Sequence, residues 1–478
     1  MTQTDHLIRQ GKVGELDHSN KSVVPLMVAL LMACMAFQLN ATMLNPVLVT
    51  IAGALNTTEA TIGLSQTAFF MSAALFSIFI PRLSDIVGRK KILFILILVT
   101  TLGGVLSAVT SSIELYFVSR IIQGFSGPVV PLCLLMLHAE VKDPKRYGML
   151  MGIITAVNGG IAGIDAFLGG YIATNFGFRP VFWFIAAVGL ITLPFIIKGV
   201  KETKPSAGQK MDWTGVLFLV ITLAGFLFAF NEAGKITAAN WTYVAIAIVI
   251  AVVSFLFFVQ IEKRVKEPLV TIAHLKQRST WALLLTTVLT MTGIFAVVNG
   301  LVVSFAQNSD IGFGFTANKT AIYLLAPYAL VGWLVGPFMG KLAPLFGYNR
   351  ILRLGLIGSI IGILILMMFG LGSLTVLVLG TILVGITYAG TANIMLNGLG
   401  VVLSPEDNPG FLPGMNAAAF HLGAGLSFAL LPAMLVMNSG SITGYSNGML
   451  LGLGITVVAF AVSFLIPNPV SAEVKSVH

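Results

Sequence analysis

Charge is what this chain of 478 residues has least of: Asp, Glu, Lys and Arg make up 9% of it, against 57% hydrophobic residues. A soluble domain carries about 25% charged residues, so a water-solvated globule is excluded and lipid must be the solvent for most of the chain. Cysteine is nearly absent. Cys34 and Cys133 lie in different apolar runs, which excludes a disulfide framework and leaves two small buried hydrophobes. There is no nucleotide-cradling P-loop, no H-E-x-x-H or clustered His/Cys set for a metal, and no nucleophile motif, so neither an enzyme nor a cofactor is expected. The net charge of +9 is spread over short segments between apolar runs rather than gathered in one patch, which removes nucleic acid as a partner. The first 22 residues are polar and mixed in charge, without the short apolar core and cleavage site of a secretory signal. The first apolar run is expected to serve as its own insertion signal.

What is present is a series of apolar runs close to the roughly 20 residues that cross a bilayer. Fourteen spans are expected, near 24–46, 62–82, 91–111, 114–138, 146–172, 179–198, 212–231, 241–262, 281–306, 318–343, 350–370, 373–402, 411–436 and 446–467. If the N-terminus is cytoplasmic, the inside segments hold twenty-three lysines and arginines and the outside segments three. That asymmetry predicts both termini inside a plasma (cell or inner) membrane crossed many times. The spacing also predicts an organisation: a cytoplasmic tail (1–22), a six-helix half (23–198), a linker with two additional helices (199–278), a second six-helix half (279–467) and a second cytoplasmic tail (468–478). Paired six-helix halves are a transporter plan with a site near the midplane between them.

Residues 81 to 91, Pro-Arg-Leu-Ser-Asp-Ile-Val-Gly-Arg-Lys-Lys, form a block of charge between the second and third spans. Asp85 can pair with Arg89 at i,i+4, and Gly88 allows a backbone angle that a side chain resists. The second half carries a counterpart from Gly340 to Gly347 that keeps the glycines and has Pro344 where the first has its aspartate. Leu83, Asp85, Gly88, Arg89 and Lys90 match the turn between helices 2 and 3 of the major facilitator superfamily, with Pro81 replacing its first glycine. Arg120, Gln123 and Gly124 are similar to the family's R-x-x-Q-G block in helix 4. Two spans between the halves, preceded by Asp212-Trp213-Thr-Gly215 and followed by Glu267-Pro268-Leu269, resemble the fourteen-helix drug:proton antiporter branch. The resemblance covers nearly the whole chain. It implies an all-α integral membrane protein of major-facilitator type, two six-helix halves plus two extra helices, with Asp85, Gly88, Arg89 and Lys90 as a conformational gating turn.

The chain also departs from that branch. The acid of the L-D-x-T-x-x-N motif in helix 1 is Asn40 here, in the segment Leu39 to Asn45. The G-P-x-x-G-G pattern of helix 5 is replaced by Asp165-Ala166-Phe167-Leu168-Gly169-Gly170. Where R-Q-x-G is expected in helix 13 the chain reads Phe420-His421-Leu422-Gly423. These changes weaken drug efflux more than they weaken transport.

Polar residues inside apolar spans carry the functional expectation, because an ionisable group at the bilayer centre costs at least about 2.5–3.5 kcal/mol. Asp165 shares a helix face with Asn158, and either it faces a cavity and exchanges a proton or it is a permanently ionised aspartate paired to a basic residue or helix end. Arg120 is a fixed cation, placed in the coupling network or else bonded to helix 1 carbonyls and amide side chains as a structural tie. His421 is a third proton-coupling candidate, since histidine ordinarily titrates between about pH 5 and 8; its alternative is a satisfied packing residue. Gln38, Thr42 and Asn45 form a polar stripe on the first span, while Asn40 points elsewhere. With Asn158, Asn299, Asn393, Asn397 and Asn416, and with Phe69 and Phe295 as apolar walls, they are the candidates for a substrate cavity.

The expected function is secondary active transport of a small organic or amphipathic solute by alternating access, driven by protons. The resemblance implies efflux of the multidrug antiporter type. Proton-coupled uptake of a metabolite by a symporter is the alternative, and a non-transporting membrane sensor a remote third reading. The expected partners are the solute, protons and the lipid bilayer, the protein acting as a monomer.

Overall fold

The computed structural model describes residues 3–141, 144–203, 211–233, 239–265, 268–270, 272–405, 410–438 and 440–469, without the side chains of 3–22, 144–145, 147–148, 152, 155–162 and 231. Among these residues there is no strand. Thirteen helices are long and apolar enough to cross a membrane. A further 33-residue helix, Pro144–Phe176, lies between the fourth and fifth of them, and at 1.5 Å per residue it too exceeds a bilayer's thickness. In chain order the long helices are α1 Val23–Ala54, α2 Glu59–Val87, α3 Arg89–Val109, α4 Ile113–Glu140, α5 Pro144–Phe176, α6 Arg179–Gly199 and α7 Trp213–Phe230. They continue as α8 Trp241–Glu262, α9 Arg278–Gln307, α10 Ala317–Phe346, α11 Tyr348–Gly372, α12 Leu374–Val402, α13 Phe411–Met437 and α14 Ile442–Leu465.

Local sequence explains where these helices start and bend. Thr58, Ser112 and Asn240 cap the first turns of α2, α4 and α8 through side-chain oxygens. Helix α4 tightens over Gly124–Ser126 just ahead of Pro128, whose missing N–H breaks the ladder. Single wide turns interrupt α9 at Val297–Val302, α10 at Ala321–Leu325 and α12 at Gly385–Ala392. Such turns release backbone groups, which membrane helices tolerate where the turn is buried in protein.

Helix α1 packs on α5 and α6, and α3 packs on α4 and α6; in the second part α9 packs on α13 and α14, and α10 and α11 on α12. The two groups meet along α2 with α13 and along α5 with α10. Small residues allow both approaches: a Cβ on Gly425 of α13 would lie 3.3 Å from Phe70 of α2, and one on Gly170 of α5 only 2.6 Å from the Ala317 carbonyl of α10. Helices α7 and α8 pair with each other and touch the rest through α2. Trp213, Leu217, Phe228, Ile246, Val249 and Leu256 of this pair are exposed, as residues facing lipid are.

The 81–91 segment is helical on both sides of a one-residue turn at Gly88, since α2 runs to Val87 and α3 begins at Arg89. Asp85 and Arg89 pair at 2.8 Å, and Gly88 adopts φ +112°, a conformation that favours glycine. Arg89 donates to the Leu135 carbonyl at 3.0 Å and Lys90 Nζ to the Ile197 carbonyl at 2.6 Å, while Glu202 accepts the backbone N–H groups of Lys90 and Lys91. The counterpart in the second half has the same geometry at Gly347, with φ +90° and ψ 129° against 112° and 128° at Gly88.

Candidate functional site

Helix α1 is the axis of the candidate site. Gln38, Thr42 and Asn45 follow one another along its buried face. Gln38 Nε2 donates to Thr42 Oγ1 at 3.0 Å, and Thr42 donates to Asp165 Oδ2 on α5 at 2.6 Å. Asp165 is 1% exposed, and its Oδ1 has no hydrogen-bond partner among the described residues. The carboxyl can reach Thr42 because Gly169, one turn on, lets α5 lie against α1: a Cβ there would come within 2.9 Å of the Met43 side chain. No lysine or arginine bonds Asp165 among the described residues. The ion pair with a basic residue, one alternative for Asp165, is not present among the described residues.

Arg120 occupies a different side of α1. It is fully buried and donates to Gln66 Oε1 of α2, to Gln123 Oε1 one turn away and, at 3.4 Å, to the Asn40 carbonyl. Gln123 passes the network on to Ser107 at 2.7 Å. The guanidinium lies 4.3 Å from the centroid of the Phe69 ring. Hydrogen bonds to a charged group contribute about 1.5–3 kcal/mol each, and here neutral amides and a carbonyl offset the desolvation of the cation. These contacts are the tie to helix 1 and amide side chains expected as Arg120's structural alternative. No Arg120–Asp165 contact joins the two charged residues among the described residues; α1 stands between them, contributing Asn40 to one and Thr42 to the other.

From Arg120 the network crosses to the second group of helices. Gln66 Nε2 points at Asn45 Oδ1 at 3.5 Å, and Asn45 Nδ2 donates to Asn299 Oδ1 on α9 at 2.8 Å. Asn299 Nδ2 in turn donates to the Phe295 carbonyl at 3.0 Å, inside the wide turn of α9. Beside this bridge Phe70 and Phe428 stack and Phe295 meets both edge-on, with ring centroids 5.5–6.3 Å apart. Along the seam between the two groups, then, lie a buried amide bridge and an aromatic cluster.

Several expectations need correction. Phe69 is not a cavity wall: it is fully buried beneath Arg120 and edge-on to Phe70. Asn45, Asn299, Gln38 and Thr42 do not line an open chamber; they are at most 9% exposed and satisfy one another. His421 stands away from both charged residues. Its ring is edge-on to Phe37 at 5.6 Å and stacked on Phe70 at 6.3 Å, the surroundings of a packing residue. Asn416 bonds Thr287 Oγ1 at 2.7 Å and the Leu396 carbonyl, joining α13 to α9 and α12 rather than entering the α1 network. Asn393 and Asn397 bond each other, and Asn397 is exposed. The side chain of Asn158 lies outside the described residues. Gln66 was not singled out in the sequence; its signal is a lone amide deep in the apolar second span.

The molecule is closed at the end opposite the 81–91 turn. There Gln307 of α9 donates to the Pro46 carbonyl of α1 at 2.9 Å, the Asn318 N–H donates to Thr174 at 3.0 Å, and Ser304 of α9 donates to Glu59 of α2. The exposed Asn397 lies toward the other end, on the last turns of α12.

Comparison with known proteins places this architecture. The sequence profile of the Major Facilitator Superfamily matches residues 30–428. The chain is 46% identical over 463 residues to the uridine/deoxyuridine transporter of Lactococcus lactis subsp. cremoris, covering 95% of this chain and 96% of that protein. It is 24% identical over 381 residues to the multidrug resistance protein Stp of Mycobacterium tuberculosis, covering 79% of this chain and 68% of that one. The crystal structure of the proton:xylose symporter XylE superposes with a TM-score of 0.64 at 13% identity, over 94% of this chain and 97% of that structure. Helices without strands, the paired glycine turns and a profile match across most of the length agree: the chain is a multi-pass secondary transporter, not an enzyme, and belongs to the major facilitator superfamily.

Proposed function

We propose that the protein imports a pyrimidine nucleoside of the uridine or deoxyuridine type, by alternating access and at the expense of the proton gradient. One observation carries this reading: 46% identity along almost the entire chain to a uridine/deoxyuridine transporter, against 24% to a multidrug resistance protein. Efflux, the direction implied by the fourteen-helix resemblance, gives way to the alternative of uptake. The departures in helix 1 and helix 5 support the change, since Asn40 stands where the exporters carry an acid and Asp165 stands where they carry Gly-Pro.

The chemistry of the midplane agrees with such a solute. A pyrimidine nucleoside offers an imide edge that both donates and accepts, sugar hydroxyls, and a flat face. Asn45 and Asn299 can each donate and accept, and the Phe70, Phe295 and Phe428 rings supply apolar surface beside them. In this conformation the two amides bond each other; in a loaded site the solute would take the place of that bond. Arg120 holds α1, α2 and α4 in register, and Asp165, whose second oxygen is unpartnered, is the group placed to carry a proton. The 81–91 turn faces the cytoplasm of a cell membrane in this reading.

Purified protein in liposomes with an acidic exterior should accumulate labelled uridine above its external concentration, with deoxyuridine competing. Protons should enter with the nucleoside. Absence of uridine uptake, together with gradient-driven movement of an amphipathic dye in the opposite direction, would restore efflux. Uridine binding that ignores the gradient and moves nothing would make the protein a sensor.

A further inference from the structure

Outside the midplane network one acidic side chain joins the two groups of helices. Glu59, the first residue of α2, receives a hydrogen bond from Ser304 near the end of α9, and the Tyr445 hydroxyl of α14 donates to the same Ser304 oxygen at 2.8 Å. Ser304 is 8% exposed and Tyr445 2%, while Glu59 is half-buried. The carboxylate borders a cavity of about 20 Å³ between the two groups, walled by Val49, Gly63, Gly300, Ser304 and Phe428, which is room for about one water molecule. Closure at this end therefore carries a carboxylate into the seam.

Among the described residues no cation accompanies it. The segments around Glu59 are Leu48–Ala54, Val303–Gln307, Ala433–Met437 and the first turns of α14, and they contain no Lys, Arg, His, Asp or Glu. The one titratable neighbour is Tyr445, whose hydroxyl is neutral and supports Ser304. Enclosing an ionised carboxylate without a counter-charge strips hydration that nothing replaces, and enclosing the neutral acid does so far less. The protonated carboxyl keeps the Ser304 bond, because its carbonyl oxygen still accepts.

We propose that Glu59 is a second proton-coupling group, at the outer closure: closing this end requires Glu59 to be protonated, so external acid favours the outward-closed form. The inference rests on the reading of the protein as a proton-driven importer. In that cycle, proton uptake at Glu59 from outside commits a loaded transporter to turn inward. The group acts by position and touches no substrate.

Spin labels on Ala54→Cys and Ser309→Cys, one on each side of the seam, report the closure directly, with Cys34 and Cys133 buried. In the otherwise native chain the long-distance population should rise about tenfold between pH 5 and pH 8. Glu59→Gln, which keeps the shape without the charge, should hold the short distance at every pH, and Glu59→Asp should restore the response. In liposomes Glu59→Gln should weaken the dependence of uridine uptake on external pH, and gradient-free uridine exchange should slow because the outer end opens less often. A distance distribution in Glu59→Gln that shifts with pH as the native one does overturns the proposal. The distances are read without solute, so a failed uridine assay with an intact, Glu59-dependent pH response faults the assigned substrate and not this gate.

Discussion

The two groups of helices bring opposite chemistry to the midplane. The first, α1 to α6, buries two ionisable residues, Arg120 and Asp165, with Gln66, Gln123, Ser107 and Thr42 arranged about them. The second, α9 to α14, buries one titratable ring, His421, packed against Phe37 and Phe70, and otherwise answers with neutral groups: Asn299, Asn416, Thr287 and the hydroxyl of Tyr388, which lies 2.5 Å from Met291 Sδ. A buried charge needs a fixed shell of partners, whereas an amide can exchange one partner for another at small net cost. On the proposed reading the contrast gives energy coupling to the first group and adaptable recognition to the second, and the two meet at the Asn45–Asn299 bond.

The largest effect should come from breaking the charged side. Arg120→Ala strands the Oε1 atoms of Gln66 and Gln123, each costing about 1–3 kcal/mol when left unpaired. Uridine uptake should fall at least about a hundredfold and the thermal unfolding temperature should drop. Arg120→Lys should not rescue it, because an ammonium cannot serve two glutamines and a carbonyl in the fork geometry of the guanidinium. Full uptake by the lysine variant would reduce Arg120 to a point charge.

Next in size is Asp165→Asn. Its side-chain oxygen still accepts from Thr42, so folding should survive. If Asp165 carries the coupled proton, uptake driven by the pH gradient should fall about tenfold or more, and its dependence on pH should flatten. Exchange of internal for external uridine should continue. A native pH profile in this variant would remove Asp165 from the proton path and leave the first group with structural charges alone.

How much of this contrast can be read from the chain depends on the range of the interactions involved. Spans, turn and family are local or periodic features: apolar runs, the Asp85–Arg89 spacing and the glycines at 88 and 347 are legible because neighbours in sequence determine them. The partners of the charged residues are not. Asp165 meets Thr42 across 123 positions and Asn45 meets Asn299 across 254, and no periodicity encodes which faces meet. Phe69 shows the cost of that gap, since an aromatic residue in an apolar span reads alike whether it lines a cavity or lies under Arg120. His421 is the same case with a titratable ring. Glu59 went unremarked because an acid at a helix start is ordinary until Ser304 of another helix is found against it.

The junction of the two sides can be tested by a double-mutant cycle. Asn45→Ala and Asn299→Ala each remove one partner of the 2.8 Å bond and leave the other amide buried. Each alone should raise the KM for uridine about tenfold. The double variant should cost less than the sum by about 0.5–1.5 kcal/mol, since the second change no longer strands a partner. Strict additivity would mean that the amides act separately and that no solute edge takes over their bond.

The smallest effect belongs to Asn397. Its Nδ2 donates to the side chain and carbonyl of Asn393, one turn earlier, and its own surface is exposed. Asn397→Ala therefore leaves no buried group unpaired, and stability should stay within about 0.5 kcal/mol. If recognition in the second group is confined to the seam around Asn299, uridine uptake should also stay within about twofold. If the solute instead leaves along α12 toward the end that holds the 81–91 turn, release should change while binding does not, and kcat should move with KM held. Either result bounds how far along the neutral group the solute path extends, because Asn397 lies on the last turns of α12 and Asn299 beside the closed end of α9.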